Sequence, residues 1–273
     1  MRKLQKDKIV QFRKEILNFY AREKRSFPWR RNLNAYRVLV SEIMLQQTQV
    51  ERVVKMFPLF LKSFPDFKML AHAPLPRVLK VWQGMGYNRR AIALKKIAEK
   101  VMNEYHGILP RNPEILKTFP GIGKATAGSI CAFAFNAPVV FIETNIRRVF
   151  IHFFFPSKRV VSDENILPLI EQTLPKHNTR EWYSALMDYG AMLSKKIENP
   201  NRRSKEYRKQ PAFTGSQREM RGKILIYILQ KKSVSLKEFS ELFSSSRYSV
   251  LDIINQLIKE GFIKKDGVRV RVI

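Results

Sequence analysis

The sequence predicts an all-α fold closed by a small domain of helices plus a β-hairpin. Two observations predict it: apolar residues recur at three- and four-residue intervals almost to the end of the chain, and strict alternation is confined to the last few positions. A third bounds its size, since 273 residues at 45% hydrophobic content can bury one large core or two modest ones. Prolines at 28, 58, 65, 74, 76, 110, 113 and 120 predict short helices punctuated by turns.

The first segment, MRKLQKDKIVQFRKEILNFY, places Ile9, Phe12, Ile16 and Phe19 on one face of an amphipathic helix and lacks the apolar core of a signal peptide. Val50, Val53, Val54 and Phe57 form a second stripe, and Leu94, Ile97 and Val101 a third. Asn112 before Pro113 reads as a helix start, Pro120-Gly121-Ile122-Gly123 as a tight turn, and the small-residue-rich run after it as another helix. Two glycines in such a turn let backbone come close to a phosphate that faces amides at the new helix start. This is a helix-hairpin-helix pattern; an ordinary helix–helix turn is the alternative. From Ser194 to Gly215 the chain turns polar and basic and reads as a linker.

Beyond the linker, Ser216 with Glu219 and Ser235 with Glu238 are spaced as capping boxes. A further helix runs through Val250, Ile253, Ile254, Leu257 and Ile258 to Gly261. An Asp266-Gly267 turn with Val268, Val270 and Val272 alternating with Arg269 and Arg271 then reads as a hairpin. Three helices and a basic hairpin look like a winged helix, a fold used both on nucleic acid and as a protein-protein module.

Composition narrows the partner. Lysine and arginine number 51 against 23 acids, a formal charge of +28, which favours a polyanion because each neutralised phosphate releases a counterion. No apolar run approaches the roughly 18 residues that would span a bilayer. The single cysteine, Cys131, can form neither an internal disulfide nor a thiolate cluster, and reads as a buried, inert thiol in a reducing compartment. His72, His106, His152 and His177 are scattered without metal-ligand spacing, so no protein-bound metal is expected.

Against this charge, the carboxylate in Phe141-Ile-Glu-Thr-Asn-Ile-Arg-Arg-Val149 invites three readings: Glu143 pairs with Arg147, caps a helix, or performs chemistry. The surrounding motifs are FPWR at 27 to 30, SEIMLQQTQV at 41 to 50 and WQGMGYNRRAIAL at 82 to 94. They continue with FPGIGKATAGSI at 119 to 130, ETNIRRV at 143 to 149 and ALMDYGAML at 185 to 193. Together these resemble the MutY branch of the helix-hairpin-helix DNA glycosylases over most of residues 10 to 215.

The resemblance implies a two-lobed helical glycosylase with a discontinuous lobe over 1–29 and 137–213, a second lobe over 30–136, the active site between them and the winged-helix-like domain over 214–273. It implies a monomer in the cytoplasm, on the nucleoid, that binds double-stranded DNA with a mispair or oxidised base. Its reaction is hydrolysis of the N-glycosidic bond of a flipped-out adenine opposite 8-oxoguanine or guanine. Glu42 is implied as proton donor to the base, Glu143 as the negative charge beside the developing oxocarbenium ion, in the place of the family's aspartate, and Asn145 as its support. Arg30 is implied to meet the flipped base, Gln47 to fill its vacated space, and Leu45 and Thr48 to lie near the opposite base. Tyr87 matches an aromatic of the lesion-reading segment, whose second aromatic is replaced by Asn88; Ser184 replaces a larger polar residue near the adenine. Gly121, Gly123, Lys124 and Thr126 belong to the phosphate-binding hairpin.

Two departures shape the expected chemistry. Ala125 stands where bifunctional relatives carry a lysine nucleophile, which implies hydrolysis without strand cleavage. The iron-sulfur cysteines of relatives, separated by six, two and five residues, fall on Ser194, Asn201, Ser204 and Gln210, so no cofactor is expected. The alternatives are a mismatch thymine glycosylase acting on T opposite G, and a catalytically weak lesion- or junction-binding protein.

Overall fold

The computed structural model describes residues 3–244 and 246–273. Helix α1 (Lys6–Glu23) buries Phe12 and Ile16 and half-buries Ile9 and Phe19, the face read from sequence. Helix α2 (Pro28–Arg31) is a single turn begun by Pro28, whose fixed φ suits a first helical position. Then follow α3 (Ala35–Leu45), α4 (Val50–Ser63), α5 (Phe67–His72), α6 (Leu75–Val81) and α7 (Arg89–Glu104). Val53 and Phe57 on α4, and Leu94, Ile97 and Val101 on α7, are buried. Pro58 corrects the sequence reading, because it lies inside α4 rather than ending it. The backbone hydrogen bond it forgoes is offset by burial of Phe57, Phe60 and Leu61 around it.

Helix α8 (Pro113–Leu116) is capped by Asn112, which accepts from the Glu114 amide at 2.8 Å. Gly121, at φ +76°, takes the left-handed conformation that the tight turn requires. Helix α9 (Lys124–Phe135) follows, and at Gly128 an added Cβ would lie 2.5 Å from Cβ of Phe141, so glycine lets α9 lie against the segment leading to Glu143. Helices α10 (Thr144–Phe154), α11 (Asp163–Thr173) and α12 (Thr179–Lys196) complete the run. Phe12 packs edge-on against Phe150, Phe154 and Trp182, joining α1 to α10 and α12.

Two compact units result: the chain up to Glu42 with Pro110–Thr118 and Ile122–Lys209, and Ile43–Leu109 with Phe119–Gly121 and Gln210–Ile273. The division differs from the lobe boundaries read from sequence. Residues 30–42, 110–118 and 122–136 go with the first unit, where Ala132 of α9 joins the core formed by Phe12, Phe141 and Trp182, and residues 210–213 and 214–273 group with the second.

The segment from Ser194 to Gly215 is more folded than a linker. Helix α12 continues to Lys196, a 3-10 turn spans Pro200–Arg203, and Pro200, Asn201 and Ser204 are buried. Val161 donates to Arg203 O at 2.8 Å and accepts from the Lys205 amide at 2.9 Å.

The C-terminal segment comprises α13 (Gln217–Lys231), β1 (Ser233–Ser235), α14 (Leu236–Leu242), α15 (Val250–Lys259), β2 (Ile263–Asp266) and β3 (Arg269–Val272). The strands form an antiparallel sheet in the order β1-β3-β2, with Val234 opposite Val270 and Ile263 opposite Val272. Three residues with one buried side chain carry no alternation, which is why β1 was not expected. Both capping boxes are half formed. Ser216 and Ser235 accept from the Glu219 and Glu238 amides, but Glu219 accepts from the Gly215 amide and Glu238 from the Tyr227 hydroxyl.

Candidate active site

Helix α3 carries Glu42 between buried Ser41 and Ile43. Its carboxyl is pushed up to about 7, first because burial penalises the anion. A hydrogen bond with Ser129 of α9 pulls it down, the charge of Glu143 pushes it up, and the charge of Arg30 pulls it down. Ser129 Oγ also donates to Thr126 O at 3.0 Å.

Glu143 is the N-cap of α10. Its Oε1 accepts from the amides of Asn145 and Ile146, both at 2.8 Å, and its Oε2 accepts from Asn145 Nδ2 at 3.2 Å. Burial raises its pKa above the ordinary carboxylate range, opposed by these amides and by the charges of Arg148 and Arg147. The pairing with Arg147 does not form as an ion pair, because Asp163 takes that guanidinium through two bonds of 2.6 Å. Of the three readings of this carboxylate, capping is therefore realised, and it leaves Oε2 with lone-pair capacity to spare.

Asn145 is fixed from behind. Its Oδ1 accepts from Arg148 Nη1 at 2.8 Å, and the same nitrogen donates to Gly190 O at 2.7 Å while Arg148 Nε donates to Asn199 Oδ1 at 3.1 Å. Gly190 makes this possible, because a Cβ there would lie 2.4 Å from Asn145 O. Arg30 is held by Asp188 of α12, its Nη1 and Nη2 donating to the two carboxylate oxygens at 2.8 and 2.9 Å.

The structure thus brings Glu42, Glu143, Asn145 and Arg30 together in the first unit. The other residues read from sequence lie on turns and helix starts. Leu45 ends α3 half-buried, Gln47 is exposed at φ +51°, and Thr48 Oγ1 donates to Gln46 O at 3.2 Å. Tyr87, at φ +46°, accepts at its hydroxyl from Gln210 and Arg218, and its ring faces the guanidiniums of Arg90 and Arg218. Gly121, Gly123 and Lys124 are exposed around the hairpin and Thr126 is half-buried. A separate groove of about 680 Å³ is lined by Arg89, Ile92, Pro120, Lys259 and Glu260, none of them among these acids.

Sequence reasoning did not single out Ser129, Arg148, Asp188 or Arg90. Arg90 is 8% exposed and closes α3 by donating to Ile43 O, Met44 O and Gln46 O at 3.0, 2.8 and 2.6 Å. The signal for Asp188 was available: a lone carboxylate in the apolar helical stretch ALMDYGAML needs a buried partner.

The four cluster-ligand positions make ordinary polar contacts. Ser194 Oγ donates to Ala191 O, Asn201 Nδ2 to Thr144 O, Ser204 Oγ to Glu206 and Gln210 Nε2 to the Tyr87 hydroxyl. Among the described residues no group of three or more His, Cys, Asp or Glu is arranged to hold a metal ion.

Residues 40–175 match the HhH-GPD superfamily of base excision DNA repair proteins, a span that contains both acids and the hairpin. The chain belongs to this superfamily. Its MutY-type character is carried by curated relatives. The adenine DNA glycosylase of Buchnera aphidicola subsp. Baizongia pistaciae is 38% identical over 69% of this chain and 54% of the relative. That of Mycolicibacterium smegmatis is 36% identical over 66% and 62%. The chain thus spans between half and two-thirds of the length of these two relatives. Among solved structures, a thermostable thymine-DNA glycosylase is 27% identical with a TM-score of 0.63, over 71% of this chain and 91% of that one. An endonuclease III trapped covalently on DNA, 19% identical with a TM-score of 0.59 over 70% and 88%, shares the fold.

Proposed function

We propose that this HhH-GPD protein is a DNA N-glycosylase that starts base excision repair by hydrolysing adenine from a mispair with 8-oxoguanine or guanine. The observation that carries the reading is the pairing of two unlike acids: Glu42 poised near pH 7 as a proton donor, and Glu143 fixed on helix amides within its electrostatic reach. Glu42 gives its proton to the leaving base. Glu143, steadied by Asn145, opposes the positive charge that develops on the sugar, and water completes the hydrolysis.

Double-stranded DNA would meet the exposed hairpin amides and Lys124, and the excess of basic side chains supplies further phosphate contacts. With Ala125 at the start of α9, the hydrolysis proceeds without a Schiff base. Asn201 and Ser204 hold the loop through side-chain contacts at two of the positions that carry cysteines in relatives, and the proposed hydrolysis calls on no cofactor. Excision is measured on duplexes carrying A opposite 8-oxoguanine, A opposite G and T opposite G, followed by alkaline cleavage. Product from the first two is expected, with no borohydride-trapped adduct; no product from either would overturn adenine excision.

A second reading is favoured by one specific likeness, the thymine-DNA glycosylase that the chain covers over 91% of its length. Product from T opposite G alone would select it.

A further inference from the structure

The carboxylate of Asp188 lies on α12, and its side chain is 1% exposed. It accepts four hydrogen bonds: from Arg25 N at 2.9 Å, Arg25 Nε at 2.7 Å, Arg30 Nη1 at 2.8 Å and Arg30 Nη2 at 2.9 Å. Those four donors fill its lone pairs. Phe27 lies beneath both guanidiniums, at 4.9 and 5.0 Å, and stacks on Trp29 at 4.8 Å. Arg30 Nη1 also donates to Arg25 O at 3.1 Å. Both terminal nitrogens of Arg30 are therefore engaged by Asp188, although Glu42 is near enough to feel its charge.

We propose that Asp188 is a positioning residue for base excision: by occupying both terminal nitrogens of Arg30, it prevents that guanidinium from pairing directly with Glu42 and so preserves Glu42 as a proton donor. The proposal rests on the glycosylase reading. Its logic is competition between two carboxylates for one half-buried cation. A guanidinium stripped of its buried partner takes the nearest anion, and a carboxylate beside arginine loses its proton at lower pH, typically by about 1–3 units.

The charged groups facing Glu42 make Arg30 the decisive one. Arg30 faces it from α2 and Glu143 from the start of α10, while α9 contributes the neutral Ser129. Behind these stand Arg25 and Asp188 at Arg30, and Arg147 and Arg148 at Glu143. Arg147 is bound to Asp163, and Arg148 to Asn145, Gly190 and Asn199.

The test has two readouts in the full chain: the pH dependence of single-turnover adenine excision, and the carbon-13 NMR titration of the Glu42 carboxyl, assigned by its loss in Glu42→Gln. In Asp188→Asn, the Glu42 midpoint and the alkaline limb of excision are expected to fall together by about one pH unit or more. Asp188→Glu should restore both toward wild type, and adding Arg30→Gln to Asp188→Asn should bring the midpoint to wild type or above. A rate lowered equally at every pH, with the midpoint unmoved, would mean a purely structural role and overturn the proposal. Should Asp188→Asn fail to fold, Arg30→Gln alone decides: the midpoint must rise, and an unmoved one refutes the coupling. Absence of excision by wild type would overturn the glycosylase reading, while the titration would still decide the Arg30–Glu42 competition.

Discussion

Glu42 is shaped by opposing demands, since the burial that keeps it protonated also makes its anion costly. An ordinary glutamate titrates near 4.5 and this one near 7. Below about 4.5 it is neutral in both folded and unfolded chains and contributes nothing to pH dependence. Between 4.5 and 7 the unfolded chain ionises first, so stability falls as pH rises, and above 7 the loss is complete. Glu42→Gln should therefore raise Tm at pH 8 and leave it unchanged near pH 4, as thermal melts would show. The same variant should lower single-turnover excision by about 10²–10⁴-fold, the usual range for a lost general acid. In wild type the rate should decline as pH rises through about 7, because the donor form is lost. For Glu143→Gln, a folded protein without appreciable excision is expected, because the amide oxygen can still cap α10 but brings no charge to the sugar. A melt comparable to wild type beside a rate near background would bear that out, whereas near-normal excision would remove Glu143 from the chemistry.

At the level of elements, the acids are placed by how closely helices approach. Gly190 lets α12 touch the first turn of α10, and Gly190→Ala should force the two apart, costing about 1–3 kcal/mol in a denaturant melt and slowing excision through displaced Asn145. Asn201 fastens the 3-10 turn to Thr144 O, next to the Glu143 cap. Asn201→Ala removes that hydrogen bond, and a loss of about 0.5–1.5 kcal/mol in the same assay is expected. The long amphipathic helices were legible in the sequence because a 3.6-residue period survives wherever one face is buried, as with Phe12 and Ile16 or Leu94, Ile97 and Val101. Pro58 and β1 were not legible: tertiary burial overrides a proline, and three residues cannot display a period of two. At the site, Glu42, Glu143 and Asn145 stood out by motif. Ser129, Arg148 and Asp188 act through contacts spanning dozens of residues, and no local spacing encodes such contacts.

For the whole molecule, the charge of +28 is the dominant fact. Much of it is uncommitted to structure: Lys124, Lys264 and Lys265 are exposed, and many surface ion pairs, such as Lys100 with Glu104, contribute little. Duplex affinity should consequently drop steeply with salt, by about 10³-fold or more between 50 and 200 mM if six or more phosphates are met. Fluorescence anisotropy against salt concentration measures this, and a flat dependence would exclude an interface built mainly on phosphates. Lys124→Ala should weaken binding to matched and mismatched duplexes alike and make the salt slope shallower by about one contact.

Cys131 offers a practical dividend. It is the chain's sole thiol, it is fully enclosed on α9, its Sγ donates to Arg111 O at 3.2 Å, and burial pushes its pKa up to about 11. A maleimide or disulfide reagent in native buffer can therefore react only when that helix transiently detaches. The labelling half-life becomes a stopwatch for local breathing two residues from Ser129, readable by mass spectrometry without introducing a probe, and ligand-induced tightening would register as slower capture.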